Sequence, residues 1–410
     1  MKTRLKIFSI FFLVIYTISC SRKATDYKSF LNGKERVYPG SVTNVNVLPG
    51  KNRVMLTWNP SPDPSIIKYV VYWNNFADST IVEATSHDPK DLVKCLIPDL
   101  QEYTYAFFIN SFDAAGNKSV QTQVNNVRIY GDIYALNLFN RPVDIEEPFL
   151  LTDGDKNVQL KFLTPDTINI NTIIKYTNTE GALISRFLAP TQTSIQIDNY
   201  KFGTPVSYQS SYIPKTGAID TFWTNAADIF PSIYKIVMCD KSQFNEVTFP
   251  YDMGIYESGT RVSKLWDGNN TVRGYPDIYH SDDPGGSTTM PRSLSFDMGA
   301  VYNNLAMIEE IGRNCCNNPV DFEVWGIADT TNATPGLPSN DPNWKTSMQN
   351  KGWTMLTEAI RADDGQAAMK FNFIDNPPPV RFILIRVIKT ATNSSSVNMS
   401  QLTFWYKSTQ

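Results

Sequence analysis

The stretch from Lys264 to Asn270, KLWDGNN, places an Asp-Gly turn and two side-chain amides directly after a tryptophan. Calcium takes carboxylate, amide and backbone carbonyl oxygens, so Asp267, Asn269, Asn270 and Thr271 make a candidate cation set. Trp266, behind a short apolar flank, reads as core. A second stretch, RGYPDIYHSDDPGGST (residues 273–288), brings Tyr275, Tyr279 and His280 together with Arg273, Asp282 and Asp283. Arg313 and Asn314 follow in GRNCCNN, and Trp344 lies in the Pro-rich, polar run TTNATPGLPSNDPNWKTSMQNKGW. Sugars are held by aromatic faces against their C–H groups and by flat, forked donors to their hydroxyls. Tyr275, Tyr279, His280, Arg313, Asn314 and Trp344 supply both kinds of group.

Catalytic patterns are scarce. Glycoside hydrolysis needs two carboxylates flanking one bond. The pairs Asp282–Asp283 and Asp363–Asp364 are adjacent residues that point apart. His87 and His280 are the only histidines, and neither GxSxG nor a phosphate-binding glycine loop occurs. The expectation is a protein that binds without catalysis. With two histidines and no CxxC, zinc is not indicated. Cys95 sits in the apolar run VKCLI and reads as a buried small side chain. Cys315 and Cys316 are adjacent and bond each other only with strain, which leaves Cys239 as the candidate partner for either.

The elements that must position these residues are strands. Aromatic residues make up 12% of the 410-residue chain and charged residues only 19%, a composition that suits pleated surfaces. From residue 41 onward, period-two runs alternate with turn signals every eight to twelve residues, and no long amphipathic helix intervenes. RVMLTW puts Val54, Leu56 and Trp58 on one face, and YTYAFFI does the same for Tyr103, Tyr105, Phe107 and Ile109. That rhythm predicts β-sandwiches. The net charge of -3, with no basic cluster beyond the first residues, argues against a nucleic-acid partner.

Residues 1–20 read as a secretion signal: Lys2, Arg4 and Lys6 precede the apolar run Ile7 to Ile18, which is too short to span a bilayer, and Ser19-Cys20 follows. The small residue before the cysteine resembles a bacterial lipobox, which implies lipidation at Cys20. Cleavage there takes the charge from -3 to -3 minus 3, about -6. No later segment is long and apolar enough to span, so the lipid alone attaches the chain to the membrane. Residues 21–40 are polar and without period, a tether.

Residues 41–130 resemble a fibronectin type III module, through Trp58, Tyr69 and Tyr72 in KYVVYW, and Leu100 with Tyr103 at the corner before the sixth strand. Residues 131–230 carry the same rhythm in VQLKF, TIIKYTN, SIQIDNYKFG and VSYQSSYIP, a second fibronectin-like sandwich. Residues 231–410 contain, in order, WDG, SLSFDMG, VDFEVWGI, KGWTML, PVRFILIRVI and MSQLTFWY. That string resembles the discoidin domain (coagulation factor five/eight type C), a galactose-binding-like jelly roll. The expected fold class is all-β: two fibronectin type III-like sandwiches followed by a discoidin-like jelly roll.

The combination resembles accessory lipoproteins of Bacteroidota that serve glycan importers of the outer membrane. It implies a lipid-anchored outer-membrane protein at the cell surface, with a glycan as partner and an importer complex beside it. The alternative is a docking or scaffold lipoprotein that binds the importer rather than sugar. SRKATDYK after Cys20 is basic first, where surface-exported relatives are acidic, so a periplasm-facing anchor stays open. The discoidin resemblance also implies ligand residues on loops at one end of the jelly roll. It adds a structural calcium near Asp267, Asn269 and Thr271, completed by a glutamate in the last strand. Here Gln401 stands in that place, and no cofactor is otherwise required.

Overall fold

Seven strands built from period-two runs open the described chain. In the computed structural model, residues 37–166, 168–283 and 289–410 are described; the secretion signal, Cys20 and most of the tether lie outside them. The strands are β1 (Thr43–Pro49), β2 (Val54–Asn59), β3 (Ile66–Trp73), β4 (Asp78–Glu83), β5 (Val93–Ile97), β6 (Thr104–Asp113) and β7 (Thr122–Arg128). They form a three-stranded sheet, β1-β2-β5, over a four-stranded one, β4-β3-β6-β7, all antiparallel. This is the fibronectin type III arrangement. Val54, Leu56 and Trp58 face inward and are fully buried, and the Trp58 ring meets Tyr69 edge-on at 5.5 Å.

One expectation is corrected here. Tyr103 is not the corner tyrosine; it precedes β6 and its ring is largely in solvent. Tyr105, two residues on, takes that role, its hydroxyl accepting from the Gln101 backbone N–H at 3.1 Å.

The short helix α1 (Asp132–Leu136) leads into a second sandwich. Its strands are β8 (Phe149–Thr152), β9 (Asn157–Lys161), β10 (Asn169–Thr177), β11 (Leu183–Leu188), β12 (Ser194–Asp198), β13 (Ser207–Tyr212), β14 (Phe222–Trp223) and β15 (Asp228–Ile229). One sheet is β12-β9-β8. The other runs β11-β10-β13-β14, with β15 also on β13. Their inner faces close a core that includes Val158, Leu160, Ile174 and Tyr176.

The last unit comprises β16 (Lys235–Met238), β17 (Asn245–Glu246), β18 (Tyr279–His280), β19 (Arg292–Tyr302), β20 (Leu305–Ile311), β21 (Pro319–Ile327), β22 (Thr354–Ile360), β23 (Met369–Asn372), β24 (Val380–Thr390), β25 (Asn398–Met399) and β26 (Gln401–Ser408). A five-stranded sheet, β17-β19-β24-β21-β22, packs on a four-stranded one, β16-β26-β20-β23, and β18 pairs with β25 at one end. This is the jelly roll. Its core runs from Leu294 and Phe296 through Phe322, Val324, Ile383 and Ile385 to Phe404.

The strands of the larger sheet are apolar on both faces because both faces are covered. Phe322 and Val324 point into the core, whereas Trp325 and Leu384 point outward into a second cluster with Trp344, Met348 and Trp353. The cover is the segment 329–353, which folds helix α2 (Trp344–Asn350) onto that outer face. Trp344 and Met348, four residues apart, share the buried side of α2. This overturns the reading of the segment as an open loop with Trp344 as ligand contact: Trp344 is 1% exposed, its ring meets Trp325 edge-on at 5.2 Å, and the Arg386 guanidinium lies 4.8 Å from it.

Candidate functional site

At the end of the jelly roll beside β18, strand alternation decides between two expected ligand residues. β18 pairs with β25, Tyr279 opposite Met399 and His280 opposite Asn398. Successive side chains take opposite faces. Tyr279 therefore points into the core and is fully buried, so it cannot touch a ligand. His280 points outward, half-buried, its Nδ1 2.7 Å from the Ser281 carbonyl.

The outward His280 gathers two tyrosines. Tyr256 lies over it with ring centres 4.8 Å apart and planes tilted by 32°, and the Tyr256 N–H donates to the His280 carbonyl at 2.9 Å. Tyr275 stands roughly perpendicular to both, 6.3 Å from Tyr256 and 6.4 Å from His280. Tyr256 is 55% exposed and Tyr275 44%. Three rings therefore form a stepped aromatic shelf open to solvent. Glu257 engages the Tyr275 hydroxyl and holds its phenol above the usual range.

Tyr256 was not singled out from sequence. The signal available was its place in MGIYESGT, an aromatic among turn formers with no alternating partners.

Arg313 and Asn314 are brought to the same shelf. Arg273 and Arg313 form a parallel bridge, and the Asn314 N–H donates to the Arg273 carbonyl at 2.8 Å. The two segments cross closely here, and a side chain at Gly274 would approach the Asn314 amide to 3.0 Å. Buried Asn318 ties the turn: its amide accepts from the Arg313 N–H at 2.7 Å and donates to the carbonyls of Arg313 (3.0 Å) and Cys315 (2.9 Å). Asn314 remains exposed.

The two cysteines in this turn bond to each other, Cys315 to Cys316, despite their adjacency, and Cys239, the candidate partner for either, is free. Cys239 faces the hydrophobic core, where burial pushes its thiol up, while Cys315 lies exposed on the turn. The Asn398 side chain holds the Cys316 carbonyl at 2.9 Å from the other side.

The expected calcium site is organised differently. Asp267, Asn269 and Thr271 do come together: Thr271 donates to the Asn269 side chain at 2.7 Å, and the Asn269 N–H to Asp267 at 3.1 Å. Of these three residues, Asp267 is engaged by a side-chain cation. Arg273, 7% exposed, donates to Asp267 (2.6 Å), Asp277 (3.1 Å) and the carbonyls of Lys264 (3.0 Å) and Ser400 (2.5 Å). With its amide turned to satisfy both neighbours, Gln401 accepts from Lys241 Nζ at 2.7 Å and donates to Asp267 at 3.3 Å. Burial lowers Lys241 to about 8. Two cationic side chains and a neutral amide do not fit a divalent ion, which needs six to eight free oxygens. Among the described residues no three histidine, cysteine, aspartate or glutamate side chains are grouped so as to hold a metal ion.

Two family models, each described as a domain of unknown function, match residues 20–222 and 266–406. No curated protein matches the chain. Among solved structures, a SusE-like protein is similar at 13% identity, covering 89% of this chain and 96% of its own, with a TM-score of 0.33. A family 32 carbohydrate-binding module of Clostridium perfringens NanJ, solved with galactose, is similar at 16% identity over 42% of this chain and 99% of its own, with a TM-score of 0.29. Domains FN1–FN3 of chicken CNTN1 are similar at 13% identity over 48% of this chain and 69% of their own, with a TM-score of 0.25. Overlap at this level is loose, and the chemistry of the site rests on its own side chains.

Proposed function

We propose that the chain is a non-catalytic glycan-binding lipoprotein of a polysaccharide-utilisation system, with the sandwiches as spacers and the sugar held at the end of the jelly roll. The observation that carries this reading is the solvent-open shelf of Tyr256, Tyr275 and His280 beside Arg313 and Asn314. Aromatic faces and forked donors side by side suit a sugar ring. The buried Tyr279 and Trp344 have no part in it. The lipid anchor at Cys20, the outer-membrane location and an importer complex as neighbour belong to the same proposal.

The test is affinity electrophoresis of the full-length protein in detergent through gels cast with a broad polysaccharide panel. At least one polysaccharide should retard it. Tyr256→Ala and Tyr275→Ala should each weaken that retention about 3- to 10-fold, since an aromatic contact contributes about 0.5–1.5 kcal/mol. No retardation across the panel would sink the reading.

One observation favours the docking alternative. Ile133 and Leu136 of α1 and the following Phe139, which is 83% exposed, put apolar side chains on the link between the sandwiches. A stable complex with an importer subunit, lost on Phe139→Ser and without any response to sugar, would make that the better account.

A further inference from the structure

Arg313 is distinguished by what it lacks. Every other arginine of the jelly roll, Arg261, Arg273, Arg292, Arg361, Arg381 and Arg386, pairs with a carboxylate. Among the described residues Arg313 makes no ion pair, and its Nε is buried without an acceptor. A half-buried guanidinium gains more from a partner than one in free solvent, and a buried donor left unmatched is costly.

A carboxylate beside Tyr275 does not pair with Arg313. Glu257 engages the Tyr275 hydroxyl, and Arg313 acts on that same phenol only as a neighbouring charge. The backbone of Arg313 is nevertheless fixed in place. Its N–H is held by Asn318, its carbonyl accepts from the Asn318 amide, and its strand position is bridged to Arg273. The turn therefore keeps an uncompensated cation at the edge of an aromatic shelf.

We propose that Arg313 is the specificity-determining residue for an anionic sugar, one whose carboxylate or sulfate ester supplies the missing partner while its ring lies on Tyr256 and Tyr275. This inference rests on the glycan-binding reading and narrows it to a substrate class. A neutral sugar leaves the guanidinium with hydroxyl acceptors only. An anionic group makes the charge-assisted, forked contact that guanidinium geometry favours.

The test uses full-length protein in detergent and isothermal titration. The probes are polygalacturonate, alginate and hyaluronan, the methyl ester of each, chondroitin beside chondroitin sulfate, and a neutral panel of dextran, galactan and xylan. At least one acidic polymer should bind at least 10-fold more tightly than its methyl ester or desulfated form, with the margin shrinking as salt rises. Loss only on esterification identifies a carboxylate, and loss only on desulfation a sulfate ester. Arg313→Gln should remove that margin and leave residual binding to the uncharged form. Arg313→Lys should recover part of it, because charge returns without the fork. An unchanged melting temperature in both variants excludes misfolding as the cause.

Binding that is indifferent to esterification and sulfation, or confined to neutral polymers, overturns the inference while leaving the glycan-binding reading intact. No binding to any polymer overturns both.

Discussion

Asp252 sits beneath the end strands of the jelly roll and accepts from the Phe249 N–H at 2.8 Å and from the hydroxyls of Ser293 (2.9 Å) and Ser295 (3.3 Å). Burial outweighs these bonds and pushes its carboxyl up to about 6. Because the folded value lies above the unfolded one of 3.8, the native state holds a proton that the unfolded chain has released. Stability from this group is full below about pH 4 and falls as pH rises through 6. Asp252→Asn should flatten the stability curve between pH 4 and 7 and add about 1–2 kcal/mol at neutral pH, read by urea unfolding at several pH values. A curve that keeps its slope would show that the proton is bound elsewhere. At this scale, residue type together with the discoidin resemblance named Arg313, Asn314, Tyr275 and His280, and the structure brings these four near one another. Facing was harder to read: Tyr279 and His280 are equally suited by type, and only the pairing of β18 with β25 turns one in and the other out.

The strands of each unit were legible because period-two alternation and turn residues act locally; Val54, Leu56 and Trp58 needed no knowledge of the rest of the chain. The cover over the larger sheet was not. FEVWG alternates between two buried faces, so the polarity contrast that marks a solvent side is absent, and Glu323 is buried with Arg386 at 3.1 Å. The clue was the four-residue spacing of Trp344 and Met348, masked by surrounding prolines and polar residues. Trp344→Ala should cost about 3–5 kcal/mol, seen as a fall in the unfolding midpoint, while sugar affinity of the folded protein stays as it was. A loss of affinity at unchanged stability would restore Trp344 to the ligand surface. The Arg273 hub makes an independent prediction. EDTA should leave the melting temperature unchanged, whereas Arg273→Ala should lower stability by about 1–3 kcal/mol because the buried Ser400 carbonyl loses its charged donor. A chelator-sensitive melting temperature would refute the assignment.

Across the whole molecule, the units are joined by more than the chain. Asp220 of the second sandwich accepts a forked pair from Arg53 of the first, at 2.8 and 2.5 Å, together with the Lys51 N–H at 2.7 Å. The Ile219 N–H donates to the Pro49 carbonyl, and Tyr130, Tyr134 and Phe222 meet edge-on across the joint. Further along, the ammonium groups of Lys235 and Lys407 lie 4.4 and 4.8 Å from the rings of Phe202 and Tyr234. None of this was visible in sequence, since these contacts join residues as far apart as Tyr234 and Lys407, 407 minus 234 or 173 positions, with no local pattern. Asp220→Ala should loosen the first joint, and small-angle scattering should report a larger radius of gyration with each unit still folded; an unchanged radius would show that the aromatic contacts suffice. The guanidinium of Arg273 has a consequence for the same assembly. A bound ion has a dissociation constant, so it can be diluted away, competed off or withheld by the surroundings. A cation carried on its own side chain has none of these: it arrives with translation, its occupancy is complete at any dilution, and the loop it organises is indifferent to the mineral content of the medium.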